Sequence, residues 1–205
     1  PIITVTDGTL NLNGAINNGG MLLTVKGVAA TSVCNLNVTV SGTGGLTVSP
    51  SSDAASLVAL GGANAYSGST TVGNGVLQLG VANAIPDTGA VIVDGTLDLN
   101  GNTVTLGSLA GYGLVTSSAG GAITLTLGKN NASTQFNGVI EDGAATVALT
   151  KIGTGSQTLS GVDAGKNTYT GPTTINGGRL RIRRNTIESS SGVTINAAGI
   201  LDSTA

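Results

Sequence analysis

Apolar residues alternate with small polar ones in short bursts along the whole chain: Leu10 with Leu12, Leu23 with Val25, Leu36 with Val38 and Val40, Leu46 with Val48, and Leu77 with Leu79. The alternation continues through Val91 and Val93, Leu97 and Leu99, Val104 and Leu106, Ile123 with Leu125 and Leu127, Val147 and Leu149, Leu180 and Ile182, and Val193 and Ile195. A period of two marks strands with one buried face. Between the bursts sit Asp7-Gly8, Asn18-Gly19-Gly20, Asp94-Gly95 and Asn176-Gly177-Gly178, residues that supply the positive φ angles of tight turns. No stretch shows the 3.6-residue period of a helix. The pattern predicts an all-β chain of short strands, one roughly every 10 to 12 residues.

Internal repeats choose among a sandwich, a barrel and a solenoid. DGTLNLNG at Asp7 to Gly14 returns as DGTLDLNG at Asp94 to Gly101, and NAYSGSTTVGNGVLQL at Asn64 to Leu79 returns as NTYTGPTTINGGRLRI at Asn167 to Ile182. The two spacings, 87 and 103 residues, differ, so the repeat tolerates insertions. That tolerance suits a solenoid, where an insertion bulges from one corner while neighbouring coils still stack. The expectation is one continuous β-solenoid over residues 1–205, built of about two imperfect repeats of roughly 90 to 100 residues. Coils of roughly 22 to 30 residues give about seven to nine coils and a rod near 35 to 45 Å long.

The last residues, VTINAAGILD at Val193 to Asp202, resemble VIVDGTLDL at Val91 to Leu99 and ITVTDGTLNL at Ile3 to Leu12. Both ends are therefore expected at nearly the same phase of the repeat, each exposing a coil-sized sheet edge. More chain, a cap or another copy should cover them. In the last case Ile3, Val5, Leu10 and Leu12 of one copy stack on Val193, Ile195 and Leu201 of the next. The start at Pro1 without a Met suggests a processed product or an excerpt of something longer.

Composition narrows the chemistry. The chain has no His, which removes the commonest general base and metal ligand along with every Ser-His or Cys-His nucleophile pair. Cys34 is the single cysteine, so neither an internal disulfide nor a multi-thiolate metal site can form. A net charge of −2 gives no whole-chain attraction for nucleic acid or an anionic membrane. No apolar run approaches the ~20 residues of a spanning helix. No cofactor motif appears: Gly42-Thr43-Gly44-Gly45 lacks the lysine of a phosphate loop, and calcium-binding nonapeptides and EF-hand loops are absent.

LTKIGTGSQTLSG at Leu149 to Gly161, followed by NTYTGPTTINGGRLRI, resembles the autotransporter-associated β-strand repeat of passenger regions in large bacterial surface proteins. The stretch from Leu57 to Leu79 is a looser match that keeps the NxYxGxTTVxxGxLxL core. The resemblance implies a right-handed parallel β-helix, exported and displayed as a stalk or fibre. The family's C-terminal membrane barrel has no counterpart in this sequence.

Among candidate sites, Arg179, Arg181, Arg183 and Arg184 hold half of the eight positive charges. With Leu180 and Ile182 inward, Arg179, Arg181 and Arg183 should project from one outer face at about 6.7 Å steps, inside the ~8 Å screening length. Such a row needs local carboxylates, an acidic subunit or a polyanion beside it. Gln78 holds the equivalent place in the earlier copy. Lys26, Lys129, Lys151 and Lys166 are scattered and call for no special account. Tyr66 and Tyr169 are expected to pack the same corner of each repeat. Asp7 and Asp94 read as turn residues. Asp94 and Asp98 should share an outer face about 13 Å apart, too far for a glycosidase pair, and Glu141 and Asp142 point to opposite faces of a strand or into solvent.

The reading that unites these features is a non-enzymatic structural β-solenoid of a bacterial cell-surface or secreted protein, a stalk, scaffold or extracellular fibre with an adhesive role. Its alternatives are a filament subunit stacking head to tail, an adhesin whose Arg row holds a surface polysaccharide or host polyanion, and a polysaccharide-cleaving β-helix. The partners expected are the chain itself, cell-surface polysaccharide or a host surface, with no nucleic acid and no membrane insertion by this segment.

Overall fold

The computed structural model describes residues 1–49, 56–161, 166–183 and 187–204, and these contain 25 strands and no helix. Every strand pairing is parallel, and the strands stack as a β-solenoid of about eight turns. The first turn shows the plan: strands at Ile2–Val5, Thr9–Leu12 and Ile16–Asn17 lie on three successive sides. The next turn repeats it with Leu23–Gly27, Val33–Leu36 and Val40–Gly42, each hydrogen-bonded to the strand one turn earlier.

The first side runs the length of the rod, its two sheets joined by the parallel bridge between Gly111 and Phe136. The second side is one seven-stranded sheet ending at Val139–Ile140. The third side begins as a three-stranded sheet and resumes as a five-stranded one from Val104–Leu106 to Val193–Ile195. In the interval the loop around Ala84 and Ile85, both fully buried, takes the place of a strand.

Period-two alternation becomes files of stacked side chains. On the second side Leu10, Cys34, Val58, Leu77, Leu97, Val115 and Ile140 follow one another inward in register. All but Leu10, in the end turn, are buried. Burying one such side chain is worth about 1.5 to 3 kcal/mol, so the narrow core is stabilised one turn at a time. On the first side Phe136, the single phenylalanine, sits over Gly111 and under Leu159. A large residue is accommodated where the turn below supplies no side chain. Outward files are polar with little charge: on the third side Thr105, Thr126, Thr150, Thr174 and Thr194 stand in one row.

The middle turns, in which Leu77 pairs with Leu97 and Ala90 with Ser108, fall short of the coil length expected from the sequence. The later turn from Leu114 to Val139 lies within it. In the shortest of them the economy is made between third and first sides, where Gly107 alone separates Val104–Leu106 from Ser108–Ala110, against residues 128–133 in the later turn. Between first and second sides every one of these turns bends tightly, through Gly95, Gly113 and Gly138. A Cβ on Gly95 would lie 2.0 Å from the Gly73 carbonyl oxygen, one on Gly113 2.1 Å from that of Gly95, and one on Gly138 1.9 Å from that of Gly113. The carbonyl of each turn occupies the side-chain space of the next. Glycine is required there by contact between stacked backbones.

Candidate functional site

The repeated motif works first as internal scaffolding. Asn64 and Asn167 are buried, and each accepts at its Oδ1 a backbone N–H from the turn below, from Val40 and Ile140 at 2.7 Å. Tyr66 and Tyr169 are 1% and 0% exposed, and their hydroxyls meet the Thr70 and Thr173 hydroxyls at 2.6 and 2.8 Å. Burial pushes both phenols up to about 12, with the threonine bond opposing in part. Their local geometry is the same in the two copies, yet the copies lie on different sides of the rod. The strand after Tyr66, Thr70–Val72, belongs to the first side, whereas the strand after Tyr169, Thr173–Ile175, belongs to the third. A rod of similar sides thus accepts the motif at more than one of them.

Lys151 is the residue that sequence reasoning passed over. It points inward in the file Leu106, Leu127, Lys151, Ile175, with 1% exposure. Its ammonium donates to the carbonyls of Ile152 at 2.6 Å, Gly177 at 3.3 Å and Gly153 at 3.4 Å, matching three donors to three acceptors at one corner. The signal was available, since Lys151 shares the parity of Val147 and Leu149. Burial lowers its pKa. Lys151→Met removes the charge but leaves those carbonyls without their donor inside the stack. It is expected to cost about 2 to 4 kcal/mol, read as a lowered urea midpoint. With a depressed folded pKa the unfolded chain binds the proton more tightly, so stability rises as pH climbs from the folded pKa to the ordinary lysine value. The methionine variant should lose that rise.

The arginine row lies where alternation put it. Leu180 and Ile182 are buried, and Arg179, Arg181 and Arg183 face outward. Arg184 lies outside the described residues. Arg179 Nη1 and Arg181 Nε both donate to Asp202 Oδ2 at 2.9 Å. The bonds from Arg181 and then Arg179 hold the Asp202 carboxyl below the usual range. Gln78, the counterpart of Arg181, donates in the same way to Asp98, one turn on, at 2.8 Å. The two copies thus share one device, an outward donor tied to a carboxylate of the following turn. Arg183 makes no ion pair among the described residues.

Five other carboxylates among the described residues are also engaged by their own fold. Asp98 is on the outer face yet buried; burial works to raise its carboxyl, but Ser118, Gln78 and the Asn100 N–H together outweigh it and hold it low. Asp7 accepts from the Gly8 N–H and the Thr31 hydroxyl, and Asp94 from the Tyr112 N–H one turn up. Asp142 takes the Thr170 hydroxyl and the Val147 N–H, and Glu141 the Thr116 hydroxyl. No cluster of three or more metal-ligating side chains occurs among the described residues.

The proposed stacking residues occupy the two edges of the rod. Ile3, Leu10 and Leu12 are half-buried and Val5 is buried; Leu201 is half-buried, while Val193 and Ile195 are exposed. Val193 and Ile195 pair with Thr173 and Ile175 on the third side, whereas Ile3 and Val5 pair with Val25 and Gly27 on the first. The matching end segments therefore lie on neighbouring sides.

Both copies of the Asn-Tyr motif, with the parallel strands around them, fall within stretches shared with a known class of surface protein. Residues 58–79 and 149–182 match the passenger-associated-transport-repeat family, so the chain carries two stretches similar to an autotransporter-associated repeat. Over 113 residues, 55% of its length, it is 35% identical to the adhesin BmaC autotransporter of Brucella suis biovar 1 (strain 1330). It spans 3% of that relative's length. No solved structure matches the chain.

Proposed function

We propose that this segment is a non-enzymatic stalk within the passenger region of a bacterial surface or secreted adhesin-like protein, and that its work is to hold other parts of that protein away from the cell. The observation that carries this reading is the continuous axial stack: about eight parallel turns that include both copies of the passenger repeat. Nearest-neighbour stacking makes each turn an exchangeable unit of length. The use of Asp7, Asp94, Asp98, Asp142 and Asp202 as internal acceptors supports a structural role.

A stalk tolerates loss of a whole turn and fails on loss of part of one. Leu114 pairs with Val139 in the following turn, so removing residues 114–138 joins Gly113 to Val139 at an equivalent corner. In the parent surface protein this deletion should leave display of distal segments intact, read by protease accessibility and antibody binding on whole cells. Removing residues 114–125 alone should abolish it. Equal tolerance of both deletions would sink the stalk reading.

A further inference from the structure

We propose a binding site for an acidic sugar, a hexuronate unit of a polysaccharide, on the first side of the rod beside Arg181. A trough of about 250 Å³ runs there, lined by Ser133, Thr134, Gln135, Ser156, Thr158 and Arg181. Gln135, Thr158 and Arg181 stand one above another in adjacent turns, so the trough spans two strand spacings, ~9.6 Å. That length accommodates a short run of pyranose rings along the rod.

Three of its groups have polar capacity that the fold leaves unused. The Ser156 hydroxyl is shielded from solvent and has no hydrogen-bond partner. The Thr158 hydroxyl has none either, in a residue 8% exposed. Arg181 spends its Nε on Asp202, and both terminal nitrogens of its guanidinium are unengaged. A buried hydroxyl without a partner is costly, and its place beside an open guanidinium fork describes a ligand with hydroxyls at one end and a planar anion at the other. A carboxylate fits that fork with two parallel bonds. The surrounding charge is favourable, since three arginines, Arg179, Arg181 and Arg183, face outward on this strand and, among the described residues, two of them share the one carboxylate of Asp202. The site rests on the surface-exposed reading given above. It differs from a general attraction of polyanions to the row, because one arginine and two hydroxyls set it.

The test is calorimetric titration of the intact chain with trigalacturonate, with neutral maltotriose as the control. Trigalacturonate is expected to bind at least tenfold more tightly than maltotriose. Arg181→Gln should weaken it at least tenfold and Thr158→Val at least threefold, while Lys26→Gln, an equal change of net charge elsewhere, should change it less than twofold. Arg179 still holds Asp202 in Arg181→Gln, and an ion pair whose arginine is open to solvent contributes little to stability, so its circular dichroism should match the parent chain and its melting should stay close to it. Absence of trigalacturonate binding, equal binding of maltotriose, or equal effects of Arg181→Gln and Lys26→Gln would each overturn the site. None of these outcomes bears on the deletion experiment, so the stalk reading and the sugar site fail separately.

Discussion

Gly113→Ala is expected to cost at least about 3 kcal/mol, near the upper end for overpacking, and to appear as a greatly lowered denaturation midpoint or as loss of folded protein. The new methyl would lie 2.1 Å from the Gly95 carbonyl oxygen and close to the Asp94 backbone. Those atoms belong to the turn below and are held by its ladder, including the bond from the Gly113 N–H to the Val93 carbonyl at 2.8 Å. Relief requires the two turns to separate, and separation opens the inward files on both sides of the corner. Gly14→Ala is the control: no atom lies within 4 Å of its added Cβ. That variant should remain within about 0.5 kcal/mol of the parent. Equal effects at the two positions would mean that the corner glycines are chosen for turn flexibility and not for contact between turns.

Raising the pH from 10 to 12 is expected to remove about 4 kcal/mol of stability through Tyr66 and Tyr169 together, since a pKa unit is worth roughly 1.4 kcal/mol and titration is still incomplete at the upper limit. Each folded phenol is pushed up to about 12 by burial, against an ordinary value of 10.0. The sign follows from proton binding. Above pH 10 the unfolded chain loses the phenolic protons while the folded chain keeps them, so the stabilisation is complete below pH 10 and is lost as pH rises through 12. Denaturant midpoints across this range should fall steeply, and the Tyr66→Phe, Tyr169→Phe double variant should flatten the fall. At neutral pH the single variants should differ. Thr70 loses its only side-chain partner in Tyr66→Phe, whereas Thr173 keeps the Ser190 hydroxyl at 3.0 Å in Tyr169→Phe. A pH profile unchanged in the double variant would show that the two phenols do not share this burial.

Alternation alone placed most side chains correctly, because in a narrow solenoid nearly every strand has one face in the core. Leu180 and Ile182 went inward and Arg179, Arg181 and Arg183 outward as their parity requires. What parity does not convey is which side of the rod a strand joins. The loop around Ala84 and Ile85 counts as a side without showing strand alternation, and the second copy of the Tyr motif lies one side away from the place of the first. Burial of Asp98 was likewise invisible, since Ser118, which covers it, arrives only with the following turn. Lys151 was hidden for another reason: its charge argues for solvent, and the carbonyls of Gly153 and Gly177 that hold it come together only when one turn closes over another.

The most direct test of the central claim, that whole parallel turns are the unit of the stack, is circular dichroism and urea unfolding of the isolated chain with residues 114–138 removed, beside the chain with residues 114–125 removed. The account predicts a β-rich spectrum and a cooperative transition for the first and neither for the second. Loss of folding in both, or its survival in both, would contradict it.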